Sequence, residues 1–225
     1  MQFLRRPTST NALVGIFLLV LLAVFAGPGM LPRIISSIIP SADESIPCEW
    51  LRSGQDRADH QSLIGRSVVN PLSLRVRTSA LPRTAEEKLV INIVITNESI
   101  GTVAIYYNPT QVRLGDDGVT SGLGVVFNSP GAIPAGQNQA VAYPESDIRL
   151  LGPRQSCVHR IEFPANQYPD ASISTGNATV KAYYRNTTRG ASALTTSLAT
   201  PIYADQGLWV GVVESAPVTI PFASG

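Results

Sequence analysis

Two histidines are the residues of this chain whose side chains could do the most varied chemistry. His60 lies four residues after Asp56, a spacing that would place both side chains on one face of a helical turn as a metal-binding pair. His159 lies on a predicted strand beside Ile161, a position typical of a histidine satisfied within a sheet. We interpret residues 53–65 as a solvated segment and expect no catalytic or metal-binding residue; a hydrolase or a metal-dependent enzyme is the alternative.

The acidic run Asp116-Asp117-Gly118 is similar to part of a calcium-binding loop, but it lacks the further acidic residues at alternating positions. Asp-Gly is instead typical of a tight turn that needs positive φ, so we expect a hairpin between strands at 112–114 and 123–127. The chain contains no G-x-S-x-G elbow, no C-x-x-C or H-E-x-x-H motif and no glycine-rich phosphate loop. The motifs therefore predict neither a cofactor nor a metal site.

Cys48 and Cys157 are the two cysteines of the sequence. In an oxidising compartment the simplest interpretation is one disulfide bond, and two unpaired buried thiols are the alternative. A bond that closes a loop of about 109 residues would stabilise the fold by about 4 to 5 kcal/mol in the loop-entropy model. It would fasten the segment that follows the apolar N-terminal stretch to a strand of the folded domain.

Aromatic residues provide the candidate binding surface. Tyr107, Tyr183, Tyr203 and Trp209 could form a face that stacks on a sugar or contacts a protein. Tyr107 and Tyr183 each belong to a Tyr-Tyr pair, and neighbours on a strand point to opposite faces, so we expect one member of each pair in the core. Ordinary packing inside a β-sandwich is the alternative for all four residues.

An uncharged apolar stretch from residue 11 to residue 31 follows Arg5 and Arg6. About 20 apolar residues are enough to cross the hydrocarbon core as a helix, and basic residues favour the cytoplasmic side. We therefore predict a single-pass signal anchor at 11–32 of the cell membrane, with a cytoplasmic tail at 1–10 and the rest in the periplasm or extracellular space. The alternative is a signal peptide cleaved after Ala26, which would place the C-terminal domain on the same side.

The chain beyond a juxtamembrane linker at 33–66 shows the pattern of short strands. Residues 72–77 and 178–185 alternate between apolar and polar, which is typical of half-buried strands, whereas 88–96 is almost continuously apolar, as in a central strand. We count about nine or ten such strands and no long amphipathic helix beyond the anchor. The pattern predicts an antiparallel β-sandwich at 67–225.

Two parts of this β-rich region carry longer patterns. Leu89 to Asp116 combines an apolar strand, an Asn-containing turn, a second strand and a short strand that ends in Leu-x-Asp. Gly176 to Tyr184 reads G-x-x-x-V-x-A-x-Y, and Gly207 to Ile220 contains W-x-G-x-x-x-S-x-P-V-x-I. Together they resemble the bacterial immunoglobulin-like domains of membrane-anchored and secreted proteins. The resemblance implies an immunoglobulin-like sandwich over roughly 130 residues, and no particular function, because such domains serve in adhesion, assembly and binding alike.

Two segments depart from that pattern, residues 48–66 and residues 186–205. The second is rich in Thr, Ser and Ala without a clear period, and we expect a functional or mobile loop there.

Composition limits the partners. The net charge is +1, charged residues make up 15% of the chain and no basic face stands out, so we expect no nucleic acid partner. An anchor, a neutral β domain and no catalytic motif together predict a non-enzymatic accessory or assembly subunit of a larger membrane or envelope complex. It would contact membrane lipid through its helix and protein partners through its sandwich. The alternative is a carbohydrate- or peptide-binding cell-surface module that uses 186–205 and exposed tyrosines.

Overall fold

The structure is a computed structural model that divides into two units, residues 1–42 and 43–225. It describes residues 14, 46–53, 70–82, 84, 87–136, 142–164, 168, 173, 178–194 and 202–221, with backbone only for 192–194 and 202–204. In the first unit Val14 is described, in helical conformation. Within the described ranges, no helix has the length and apolar character needed to cross a bilayer.

Several predictions concern residues that the structure does not describe. The cytoplasmic tail at 1–10, the anchor at 11–32 apart from Val14, the cleavage position at Ala26 and the pair Asp56 and His60 lie outside the described residues. They remain predictions from the sequence.

The described part of the second unit consists mainly of β-strands. Their bounds are β1 (Arg52–Ser53), β2 (Leu72–Thr78), β3 (Lys88–Asn97), β4 (Val103–Tyr106), β5 (Arg113–Leu114), β6 (Gly122–Phe127), β7 (Ile148–Leu151), β8 (Ser156–Pro164), β9 (Thr179–Asn186), β10 (Ala191–Leu194), β11 (Ile202–Asp205), β12 (Gly211–Glu214) and β13 (Val218–Thr219). Short 3-10 turns lie at Cys48–Trp50, Pro109–Gln111 and Glu145–Asp147.

These strands form three sheets and one separate two-stranded ladder. Sheet A has the order β2-β3-β8, sheet B the order β1-β7-β4, and sheet C the order β12-β9-β6-β5, with β13 also paired to β9. The ladder joins β10 to β11. Each of these strand pairs is antiparallel except β5 with β6. The predicted all-β class with antiparallel sheets is therefore confirmed.

The central strand β3 shows how the sequence pattern becomes a core. Every second side chain of β3 is fully buried: Leu89, Ile91, Ile93 and Ile95. These side chains belong to one apolar cluster with Val125 of β6 and Val180 and Tyr184 of β9, so sheets A and C pack face to face. Full burial of such an aliphatic side chain contributes about 1.5 to 3 kcal/mol, so the inward face of β3 is a large contributor to the stability of the core.

Strand β8 positions the side chains that matter for the site. It pairs with β3 along its whole length, with His159 opposite Ile93 and Arg160 opposite Asn92. Cys157 and His159 are buried, whereas Arg160 is exposed. The alternation places the histidine inward and the arginine outward, as the sequence predicted.

Two local predictions are wrong. The expected hairpin between β5 and β6 is absent because the two strands are parallel, with Arg113 opposite Gly124. The stretch 186–205, expected to be an irregular loop, contains β10 and β11, which pair antiparallel from Ala191 opposite Asp205. The sequence did not predict this ladder because its small and hydroxyl-bearing residues give only a weak alternation between apolar and polar side chains.

Candidate functional site

Residues 46–53, which we call the strap, connect sheet A to sheet B. At the start of the strap the Val158 N–H of β8 donates to the Ile46 carbonyl at 2.8 Å, and Pro47 forms a parallel bridge with Val158. At its end β1 pairs with β7, with Arg52 opposite Leu150. The strap therefore ties two sheets together across their edges.

The predicted disulfide bond is present in the middle of the strap. It joins Cys48 to Cys157 of β8, and both residues are fully buried in the main core cluster. The prediction is confirmed, and the alternative of two unpaired thiols is wrong. The strap is thus attached to β8 by a covalent bond as well as by hydrogen bonds.

Tyr107 and His159 form a buried hydrogen-bonded pair. Tyr107 directly follows β4, and its N–H donates to the Asp147 carbonyl at 2.7 Å, which holds its backbone. Its hydroxyl oxygen lies 2.6 Å from Nδ1 of His159, and the two rings meet edge to face with their centroids 5.7 Å apart. The pair lies at the point where β8 passes the end of β4.

Burial sets the ionisation of both members of this pair. Burial raises the pKa of the Tyr107 hydroxyl, and the Glu49 carboxylate raises it further. Burial lowers the pKa of the His159 imidazole, against the opposing effect of the same Glu49. Because the tyrosine pKa moves upward and the histidine pKa downward, both groups are neutral at pH 7.

The hydrogen bond assigns the histidine tautomer. Among the described residues, the Tyr107 hydroxyl proton has no acceptor other than Nδ1 of His159. The hydroxyl therefore donates to Nδ1, and the neutral imidazole carries its own proton on Nε2. Nε2 is not among the fully inaccessible side-chain atoms without a hydrogen-bond partner in the described part of the chain.

Tyr107 and His159 both border a cavity of about 390 Å³, which we call the strap pocket. Its lining includes Glu49, Arg77, Asn92, Tyr107, His159 and Arg160. The volume lies in the range of small-ligand sites in proteins. The lining combines residues of the strap, residues of sheet A and Tyr107, which follows β4.

Three of the lining residues form a row across sheet A. Arg77 of β2 lies opposite Asn92 of β3, which lies opposite Arg160 of β8. Side chains so paired have Cβ atoms about 4.5 to 5.5 Å apart. The Arg160 Nε donates to Glu162 at 2.9 Å, which leaves its other N–H groups for a further acceptor. The Asn92 amide makes no hydrogen bond to any described residue.

A second set of polar residues, the Arg185 cluster, lies on sheet C. In contrast to the residues of the strap pocket, its members are hydrogen-bonded to one another. The Arg185 side chain is fully buried, and its Nη1 and Nη2 donate to Asp116 at 2.8 Å and Asp117 at 2.9 Å. Nε and Nη2 also donate to the Thr120 carbonyl, and Nη1 to the Pro134 carbonyl. Every N–H direction of the guanidinium is therefore used inside the protein.

This cluster explains what the acidic run does. Asp117 also accepts hydrogen bonds from the Thr120 hydroxyl and the Thr120 and Val119 N–H groups, which with Arg113 hold the pKa of its carboxyl well below the usual range. Gly118 adopts a φ of 73°, as expected for an Asp-Gly turn. The carboxylates neutralise a buried arginine, and this pairing accounts for the run without a calcium ion.

The four residues of the predicted aromatic surface do not come together. Tyr107 is buried beside His159, and Tyr183 is buried with its hydroxyl donating to the Gly115 carbonyl at 2.9 Å. Trp209 is partly buried and packs on Tyr184 with the ring centroids 5.9 Å apart. Tyr203 lies on β11, and its side chain is outside the described part.

The expectation of an exposed aromatic face is therefore corrected for Tyr107 and Tyr183. Burial of each ring inside the sheets stabilises the fold more than exposure would, so both tyrosines serve packing and internal hydrogen bonding.

Sequence reasoning missed both polar groups. Arg185 follows the alternation of β9 and was assigned only to a strand face, although a buried arginine needs acidic partners elsewhere in the chain. The acidic run at Asp116 was the available signal. For the strap pocket there was no such signal, because Asn92 and Arg160 meet only through strand register.

The geometry thus defines a mainly antiparallel β domain with a disulfide-held strap and a small pocket beside it. Compared with known proteins, the chain matches no family model, no curated protein and no solved structure. Across the ranges that the structure describes, no three His, Cys, Asp or Glu side chains are grouped so as to hold a metal ion. The function is therefore argued from the strap and the pocket.

Proposed function

We propose that this chain is a membrane-anchored, extracytoplasmic accessory or assembly subunit that acts by contact with a protein partner. In this proposal residues 11–32 are the anchor, residues 1–10 are cytoplasmic, and the β domain is an immunoglobulin-like sandwich. No covalent chemistry is assigned to it.

The observation that carries the proposal is the attachment of the strap. The strap begins about 14 residues after the predicted anchor in the sequence. It is held to β8 by the Cys48–Cys157 bond and to β7 by strand pairing. Because the strap is joined to two sheets, a force applied through the N-terminal segment is distributed over both sheets and does not act on a single terminal strand. Such a connection is what a subunit needs when it must present a fixed face to a partner.

The disulfide bond also supports the proposed extracytoplasmic location of the β domain. Structural disulfides persist in oxidising environments such as the periplasm and the cell exterior, and are rare in the cytosol. Cys48 and Cys157 are the chain's two cysteines, and they are joined to each other. The bond favours placement of the β domain outside the cytoplasm.

Trp50 is the side chain that we assign to the partner contact. It lies on the strap, in the turn Cys48–Trp50, and is 78% exposed. Tryptophan is enriched among the residues that dominate binding energy, since a large ring loses much water contact when a partner covers it. The turn is held by the disulfide at its first residue, so little conformational entropy is lost when the ring is covered.

The proposal is tested by co-purification from membranes of the native host. The tagged full chain, its Trp50→Ala variant and its Leu114→Ala variant are extracted in mild detergent and the bound proteins identified by mass spectrometry. Leu114 is the matched control because it is an exposed apolar side chain, 52% accessible, on β5 of sheet C. We expect a stoichiometric partner with the wild type and Leu114→Ala, and a loss of about tenfold or more with Trp50→Ala.

A chain that purifies alone from native membranes would overturn the accessory role. Retention of the partner by Trp50→Ala, or equal losses in both variants, would overturn the assignment of the contact to the strap.

A further inference from the structure

Three turns lie at one end of the β domain, which we call the turn face. They are the strap turn Cys48–Trp50, the β3–β4 turn at 98–102 and the β7–β8 turn at 152–155. Sheet B places them together, because β7 ends where β4 begins, with Leu151 opposite Val103. Strand β1 begins at the same end, since Arg52 lies opposite Leu150 and the strap turn comes just before it. Neighbouring strands are about 4.8 Å apart, so the strap turn and the β3–β4 turn adjoin strands that are about 10 Å apart.

The buried side chain of Asn97 holds two of these turns. Asn97 is the last residue of β3, and its Nδ2 donates to the carbonyls of Gly101, at 2.7 Å, and Gly152, at 2.8 Å. Its Oδ1 accepts from the Ser99 N–H at 2.9 Å and from the Ser99 hydroxyl at 2.7 Å. The Arg154 N–H also donates to the Ser99 carbonyl, which joins the β7–β8 turn to the β3–β4 turn. A partner that covers these turns therefore orders little additional backbone.

The two most exposed large apolar side chains of the described β domain belong to the turn face. Ile100 in the β3–β4 turn is 80% exposed and Trp50 in the strap turn is 78% exposed, whereas Leu114, the next in order, is 52% exposed. Single exposed apolar residues are common, but two at one end of a domain mark an interaction site more specifically. An interface of standard size buries about 800 Å² on each partner, a patch about 30 Å across, so one partner can cover both side chains.

The charges of the turn face favour a protein over a lipid surface. The three turns carry two carboxylates, Glu49 and Glu98, and one guanidinium, Arg154, which gives a net charge of −1. Glu98 and Arg154 pair with each other at 3.1 Å, with side chains 49% and 61% exposed. Attraction to anionic lipid needs an excess of Lys and Arg, which these three turns do not have. An apolar centre with a polar rim is instead typical of a protein interface.

We propose that Ile100 and the β3–β4 turn bind the same protein partner as Trp50, so that the turn face is one continuous binding surface. The inference rests on the proposed accessory role, because it adds a second anchor residue and a partner chemistry to the contact made by Trp50. The partner's covering surface is apolar at its centre, where it meets Ile100 and Trp50. Its rim is polar and nearly neutral, because Glu98 and Arg154 already pair with each other.

Site-specific photocrosslinking of the full chain in membranes of the native host tests the inference. Benzoylphenylalanine replaces Trp50, Ile100 or Val119 in separate variants, and the crosslinked protein or lipid is identified by mass spectrometry. Val119 is the control because it is an exposed aliphatic side chain, 41% accessible, in the segment before β6. Gly122, the first residue of β6, lies beside the ring of Tyr106 at the opposite end of β4. We expect positions 50 and 100 to crosslink to one and the same protein, and position 119 not to do so.

A second measurement tests whether the two positions belong to one contact. Trp50→Ala should lower the yield of the crosslink from position 100 about tenfold, because loss of a large central ring weakens the whole interface. Val119→Ala removes an exposed aliphatic side chain outside the turn face and should leave that yield unchanged. Without the photoreactive group, Ile100→Ala should weaken retention of the partner about tenfold, and Val119→Ala should retain it.

The contrary results distinguish the inference from the accessory role. If position 50 crosslinks to a protein while position 100 gives lipid, a different protein or no product, the inference is overturned and the accessory role stands. The same conclusion follows if Trp50→Ala leaves the crosslink from position 100 unchanged. If position 50 crosslinks to no protein, the contact assigned to Trp50 is overturned together with the inference.

Discussion

The Arg185 cluster and the strap pocket contain similar residues and use them differently. Both combine arginine, carboxylate and tyrosine, and both lie where a sheet meets a segment that folds over it. In the cluster, Arg185 is fully buried and all its N–H groups donate to protein oxygens. In the pocket, Arg160 is exposed, and Asn92 and Nε2 of His159 have no described partner.

The difference separates structural polar groups from groups suited to binding. A buried arginine whose N–H groups all donate to protein oxygens has no donor left for a ligand. Its substitution is destabilising because each of those oxygens would lose a partner. A neutral histidine whose first ring nitrogen is hydrogen-bonded to a tyrosine has a fixed orientation. Its second ring nitrogen still has no partner among the described residues. Completeness of hydrogen bonding, and not residue type, distinguishes the two regions.

The largest effect is expected from removal of the disulfide bond. The bond closes a loop with a sequence separation of 109, and the loop-entropy model predicts a loss of about 4 to 5 kcal/mol in the Cys48→Ser, Cys157→Ser double variant. Urea unfolding of the full chain in mild detergent measures it, and the wild type with reductant serves as the control. Amide exchange should quicken at Val158, whose N–H donates to the strap, and not at Thr120 in the Arg185 cluster.

Equal quickening at Val158 and Thr120 would mean that the two regions unfold as one unit. The disulfide bond would then stabilise the Arg185 cluster as much as the strap.

The next effect is expected from Arg185→Leu. Removing the cation leaves Asp116, Asp117 and two carbonyl oxygens without the buried arginine that donates to them, and breaking one partner of a buried pair costs about 3 to 5 kcal/mol. Urea unfolding again measures the loss. Arg113→Gln is the control, since Arg113 meets the same Asp117 at a largely exposed pair, for which we expect a loss below about 1 kcal/mol. Similar losses in the two variants would refute the structural role of the cluster.

The smallest effect is a dependence of stability on pH through His159. Its pKa in the folded protein is lowered by burial, so the neutral form is favoured in the fold. The unfolded chain binds a proton near pH 6.5, and the folded chain only at lower pH, so stability is full above about pH 6.5 and falls as the pH decreases below it. His159→Phe should remove this slope and, by leaving the Tyr107 hydroxyl without an acceptor, cost about 1 to 3 kcal/mol at pH 7.5.

His60→Gln is the control for that measurement and should keep the slope between pH 6.5 and 5. An unchanged slope in His159→Phe, measured by urea unfolding at each pH, would show that the histidine is not held neutral by the fold.

Periodicity and cysteine count were sufficient for much of the architecture. The alternation around Ile91 and Ile93 predicted the central strand β3, and the two cysteines predicted their own bond. Apolar alternation is a local property, and it survives in the fold because burying one face of a strand is the dominant favourable term.

Predictions that needed distant neighbours were less successful. Asp116-Asp117-Gly118 was expected to turn a hairpin, but the chain closes around Arg185, 68 to 69 residues away, and β5 runs parallel to β6. The acidic run is ambiguous by itself because its partner is remote in sequence. The prediction that the tyrosines are exposed was wrong for a similar reason. Strand alternation does not indicate which face of a sheet a second sheet will cover.

The amino-acid order by itself determined the all-β class, the inward set of side chains on β3 and β8, and the pairing of Cys48 with Cys157. Only the tertiary structure decided that Arg185 is enclosed while Arg160 stands beside an open pocket. The physical reason is that the alternation of apolar and polar residues, which determines burial, is a local property of one strand. The hydrogen bonds of a polar group depend instead on which atoms other strands bring within about 3 Å of it.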